Sequence, residues 1–160
     1  MKQIINSGVF LVGLVCMWRC CQANEGVKTS VRVLKQGELD VVLEEFAGKD
    51  GVESEAVDGR QSLQDGRDGN TGDLIYRYRE SQDILQIREV IVLPQLSSDE
   101  QEVQWYAVTD ARRITTVRVL NFGRQRAYTL RIDVAGNEAQ VILRVPPNYD
   151  PRIMIEVYGY

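Results

Sequence analysis

Residues 114–158 constrain the fold more than any other part of the chain. Four successive segments, 114–120, 127–134, 140–145 and 152–158, read as β-strands, each ended by a turn signal. Along 127–134, Tyr128, Leu130, Ile132 and Val134 are expected on one side and Thr129, Arg131 and Asp133 on the other. Val141, Leu143 and Val145 repeat the period, as do Ile153, Ile155 and Val157. A period of two with one polar face marks an antiparallel sheet packed on one side only. Ala135-Gly136-Asn137-Glu138 has the length and glycine content of a hairpin turn, whereas 121–126 and 146–151 are longer connections. Pro146, Pro147 and Pro151 stiffen the second of them. The expected fold is all-β: an antiparallel two-sheet sandwich or flattened barrel, with a β-prism-like arrangement as the alternative.

Further strands are expected upstream. In Leu74-Ile75-Tyr76-Arg77-Tyr78-Arg79, the residues Leu74, Tyr76 and Tyr78 share one face and Arg77 and Arg79 the other. Residues 84–93 are apolar on both faces, which reads as a buried strand with a bulge near Arg88. Residues 102–108 form a short strand whose Trp105 is expected in the core. The β domain is accordingly placed at 72–160.

The first 23 residues bear on compartment. Lys2 gives a positive start, residues 9–18 are an apolar run broken only by Gly13, and Cys21-Gln22-Ala23 puts small residues where a signal peptidase needs them. The run is shorter than the ~20 residues that span a bilayer. A signal peptide over 1–23, cut between Ala23 and Asn24, is expected, with no membrane span after cleavage. Cleavage removes Cys16, Cys20 and Cys21, so the mature chain has no cysteine and needs an ordinary core rather than disulfides. It also removes Lys2 and Arg19, leaving 17 basic and 23 acidic residues.

Residues 24–71 read as an acidic, glycine-rich extension. Leu39, Val42, Leu43 and Phe46 fall at helical spacing before Gly48, which suggests a short helix over 38–47. Val31 with Val33, and Leu39 with Val41 and Leu43, equally fit a hairpin turning at Gln36-Gly37. Residues 48–72 hold too few apolar side chains to offset ordering entropy and read as a flexible linker. Asp58, Asp65 and Asp68 have the composition of a calcium loop but not its spacing.

The missing residue types exclude much chemistry. The chain has no histidine, and no cysteine after cleavage, so Ser-His-Asp and Cys-His nucleophiles and the usual zinc sites are not available. No phosphate-binding glycine loop, dinucleotide fingerprint or EF-hand pattern is present, and no metal or cofactor site is expected. The carboxylate-pair chemistry left to an enzyme has no recognisable spacing, so the expectation is a non-enzymatic protein.

Charge is unevenly spread. Residues 110–160 contain eight arginines, no lysine and five acids, while residues 24–109 contain nine basic and 18 acidic residues. Arg118, Arg131 and Arg144 lie mid-strand on expected outward faces, and Arg124 and Arg126 lie in a connection. Arginine without lysine suits planar, bidentate recognition of anions, so these five form a candidate face for an anionic ligand or protein partner. The simpler reading is a solvated polar face. Direct nucleic acid binding is not expected from an acidic chain without a recognised motif.

These residues resemble the multiprotein bridging factor 2 family of arthropod proteins. Gly72-Asp73-Leu74-Ile75-Tyr76 looks like the family's opening, and Ile114-Thr115-Thr116-Val117-Arg118-Val119-Leu120-Asn121 like its I-T-x-I-R-x-x-D motif. Ala127-Tyr128-Thr129-Leu130, Val141-Ile142-Leu143 and Ile155-Glu156-Val157-Tyr158-Gly159 follow in the family's order. Asn121 stands where the family favours Asp, Ala135-Gly136 replaces its Gly-Gly, and Val145-Pro146-Pro147-Asn148-Tyr149 replaces a K-S-x-R-G-x-G loop. The resemblance implies a small β domain of insect secretions, with no catalytic residues to carry over. It also implies an alternative, a nuclear transcriptional co-activator like the family's namesake.

Overall fold

The alternating segments do pair, and they pair into two antiparallel sheets. The structure, a computed structural model, describes residues 26–56, 72–93, 96–122 and 124–160. In chain order the elements are β1 (Lys28–Leu34), α1 (Glu38–Ala47), β2 (Glu53–Ala56), β3 (Leu74–Tyr76), β4 (Ile84–Val92), β5 (Gln101–Val108), β6 (Ile114–Phe122), β7 (Tyr128–Ala135), β8 (Glu138–Val145) and β9 (Arg152–Gly159). One sheet has five strands in the order β1-β5-β8-β7-β2, the other four in the order β3-β6-β9-β4. The fold is an all-β sandwich. Among the described residues no helix is long and apolar enough to cross a membrane.

One core fills the space between the sheets. From the five-stranded sheet it takes Val103, Trp105, Ile132, Val141 and Leu143, and from the other Val117, Val119, Ile153, Ile155 and Val157. Each such side chain contributes about 1.5–3 kcal/mol relative to leaving it in water. The indole of Trp105 is fully buried, and its Nε1–H donates to Glu89 Oε2 at 3.0 Å, tying β5 to β4. At the opposite side Tyr76 on β3 donates its hydroxyl to Glu53 on β2, and Arg77 and Arg113 flank the same carboxylate. Burial, then that hydrogen bond, pushes the Tyr76 phenol up to about 12.

The stretch read as an extension contributes more than a possible helix. β1 pairs along its length with β5, and β2 pairs with β7, so the five-stranded sheet takes both its edges from residues upstream of 72. Few apolar residues are needed there because edge strands recruit backbone hydrogen bonds instead. α1 covers the 38–47 window. It packs Leu39, Val42 and Leu43 against Leu34, Leu130 and Ile142 on the outer face of that sheet. Phe46 meets Tyr106 edge-on at 6.4 Å, and Lys49 Nζ lies over both rings while pairing with Glu138. Glu38 and Asp40 in the first turn favour the helix dipole, and the Lys35 N–H donates to Glu38 Oε2 at 2.9 Å. The cleavage site at Ala23 and Asn24 and the aspartates Asp58, Asp65 and Asp68 lie outside the described residues.

Three expectations are corrected. Tyr78 does not continue the buried face of Leu74 and Tyr76: β3 stops at Arg77, whose φ is 57°, and Tyr78 is 76% exposed. Leu130 does not join Ile132 in the core, because a bulge between Thr129 and Arg131 reverses the alternation. Thr129 is buried on the core side opposite Leu143, and Leu130 packs beneath α1 instead. Finally, β4 is not a buried strand. The expected bulge near Arg88 is present, between Leu85 and Ile87, but the strand lies at one edge of its sheet.

Candidate functional site: the outer face of the four-stranded sheet

α1 covers the outer face of the five-stranded sheet, and no described helix lies over the outer face of the other. Register places three rows of side chains on that open face. Arg88, Glu156, Arg118 and Ile75 form the first row across β4, β9, β6 and β3. Val90, Met154 and Leu120 form the second, and Val92, Arg152 and Phe122 the third. Val90, Val92 and Phe122 are 46%, 56% and 44% exposed, unusually open for large apolar residues lying side by side.

The first row is electrostatic. Glu156 is buried although it points outward, because two guanidiniums close over it. Arg88 Nε donates to Oε1 at 2.9 Å, Arg118 Nη1 donates to Oε2 at 2.8 Å, and the Tyr158 hydroxyl donates to Oε2 at 3.1 Å. The shared carboxylate raises the Arg88 pKa further. Arg79 adds a third guanidinium, stacked 4.8 Å from the centre of the Tyr158 ring. The Glu156 carboxylate is committed to three protein donors, and the guanidiniums around it suit contact with anionic groups.

The five arginines singled out in the sequence do not form one surface. Arg118 belongs to this face, whereas Arg131 and Arg144 stand on the outer face of the five-stranded sheet, across the thickness of the sandwich. Arg131 Nε donates to Asp133 at 2.6 Å, and Arg144 pairs with Glu100 at 3.2 Å and Glu102 at 3.0 Å. Asp133 belongs to a polar ladder, Arg32–Gln104–Gln140–Asp133–Ser54, which crosses all five strands by side-chain hydrogen bonds. Gln140 and Asp133 are buried within it. Arg124 and Arg126 sit in the β6–β7 connection, with Arg124 exposed and Arg126 half-buried.

The apolar strip was missed in the sequence for a simple reason. Val90, Val92, Leu120 and Met154 look like core residues, and only the strand order reveals that their side faces outward. The signal that could have found them is 84–93 itself, apolar on both faces in a sheet that is covered on one. Among the described residues no group of three or more acidic, histidine or cysteine side chains could hold a metal ion. No protein-family model, curated protein or solved structure matches this chain.

Proposed function

We propose that the chain is a secreted, non-enzymatic binding protein of arthropod extracellular fluid, related to the multiprotein bridging factor 2 family. It engages a protein or anionic partner through the outer face of the four-stranded sheet. The observation that carries this reading is the apolar strip of Val90, Val92, Leu120, Met154 and Phe122 set beside the paired guanidiniums of Arg88 and Arg118. Apolar area bordered by arginine is the composition of interaction surfaces, with arginine and aromatic residues as frequent anchors. Secretion rests on the leader-like first 23 residues.

Expression of the full chain in insect cells tests the compartment. The expected result is protein in the medium whose first residue is Asn24. Nuclear protein beginning at Met1 contradicts it and favours the co-activator. For the surface, Leu120→Asp and Phe122→Asp together are expected to abolish co-purification of a defined partner from the medium without lowering yield. Retained binding by a folded double variant removes the outer face from the account.

A further inference from the structure

The two sheets are unequal, and the inequality lies at one side. The Trp105–Glu89 hydrogen bond stacks β5 over β4. β1, one strand further out than β5, therefore faces no strand of the other sheet among the described residues. Its Val31 and Val33 stand opposite Trp105 and Val103, on the core face, yet they are 40% and 39% exposed while Trp105 and Val103 are fully buried. Below them runs the edge of β4, which pairs on that side with no strand among the described residues. Residues 87–92 keep a regular register with β9 and contain neither proline nor lysine; the inward charge of Glu89 is taken up by Trp105, and the bulge of β4 lies before them, at Leu85/Ile87. Alternate backbone N–H and C=O groups of these residues point away from β9 into the space beneath β1.

We infer that this edge binds one extended segment of another protein, which adds to β4 as a fifth strand and closes the sandwich beneath β1. The chemistry of the segment follows from what it would meet. Its inward side chains lie against Val31 and Val33 and must be apolar. Its outward side chains lie beside Arg88, Val90 and Val92; Arg88 shares the single carboxylate of Glu156 with Arg118 and leaves net positive charge, so an acidic residue fits opposite Arg88 and small or β-branched residues fit beside the valines. Strand addition of this kind takes affinity from main-chain hydrogen bonds and selectivity from alternate side chains. A second copy of the chain fits worse. Pairing β4 with β4 brings the partner's β5, stacked on its own β4, into the place that β1 already overhangs. The inference rests on the reading of the chain as a binding protein, and of the apolar strip it uses only Val90 and Val92 on β4, not Leu120, Met154 or Phe122.

The test uses the mature chain, isotopically labelled, and two synthetic peptides of equal composition. One alternates valine with glutamate and threonine, and the other holds the same residues in blocks. The alternating peptide is expected to bind saturably, to shift and slow the amides of residues 87–92, and to shift those of β1. Val31→Asp should weaken it at least about tenfold, because a carboxylate is then desolvated against an apolar side chain. Phe122→Asp should leave it unchanged. Three results overturn the inference: no shift at β4, equal binding of both peptides, or a self-dimer through β4 that Val31→Asp dissociates. Binding lost with Phe122→Asp but kept with Val31→Asp also overturns it, and leaves the outer-face reading standing.

Discussion

At the scale of single residues, Gly72, Asp73, Asn121, Ala127 and Thr129 hold one another by hydrogen bonds. The Asp73 carboxylate accepts from the Asn121 backbone N–H at 2.6 Å and from its Nδ2 at 3.0 Å, and Asn121 Oδ1 accepts from the Ala127 N–H at 2.8 Å. The Gly72 carbonyl accepts from the Thr129 N–H and hydroxyl. Gly72 has a φ of 91°, and a Cβ there would collide with the Ala127 carbonyl oxygen. Arg118 pairs with Glu156. Gly72→Ala should therefore cost at least 1–3 kcal/mol from backbone strain alone, on the order expected for a non-glycine residue at positive φ, read as a lowered urea midpoint. Asn121→Asp, the family's preferred residue, would set two carboxylates together in a buried knot. It should destabilise this chain increasingly as pH rises above the carboxylate range, and equal stability of mutant and parent at pH 5 and pH 8 would contradict the geometry. These residues were legible in the sequence as motifs, but their role was not, since nothing in the spacing of Gly72, Asn121 and Ala127 says that they meet. Because they hold the fold together, they say little about a ligand.

At the scale of elements, α1 is the part whose attachment is most separable. Its amphipathic spacing was readable, and its docking surface was not, because Leu130 reaches that surface only through the bulge in β7. Phe46→Ala should cost about 3 kcal/mol, the low end for a buried phenylalanine. The β-sheet circular dichroism signal should remain while the helical part falls. The attachment is also pH-sensitive. Burial alone would raise the Glu138 carboxyl, but hydrogen bonds from Lys49 and Tyr106 outweigh it and hold its pKa below the usual 4.5. A depressed carboxylate pKa contributes stability that is complete above its unfolded value and is lost as pH falls through the folded one. Lys49 is raised, since its hydrogen bonds to Glu138 and Tyr106 exceed the burial that opposes its charge, so its contribution is lost only at high pH. Thermal melting from pH 7 to pH 3 should show stability falling below about 4.5. Glu138→Gln should flatten part of that slope, and identical profiles for parent and mutant would contradict the assignment. Both partners are about 30% exposed, so screening keeps the neutral-pH effect of that substitution near 1 kcal/mol or less.

At the scale of the whole molecule, the charge asymmetry of the sequence dissolves into ion pairs on two opposite surfaces. Arg118, Arg131, Arg144 and Arg152 pair with Glu156, Asp133, Glu100, Glu102 and Asp150, and they divide between the outer faces of the two sheets instead of gathering on one. Alternation along 114–158 was enough to specify strands and an antiparallel sheet packed on one side, and it left a two-sheet sandwich, a flattened barrel and a β-prism-like arrangement open. It could not reveal strand order, which sends β4 to an edge and, among the described residues, leaves β1 without a counterpart in the other sheet. The account therefore stands on β4 being open on one side in the free protein. Amide hydrogen exchange of the protein, resolved by residue, measures this directly. Slow exchange throughout β8 and β9 is expected, with alternating fast and slow amides along residues 87–92 of β4. Uniform protection across those residues would mean that the edge is already paired, and would contradict the account.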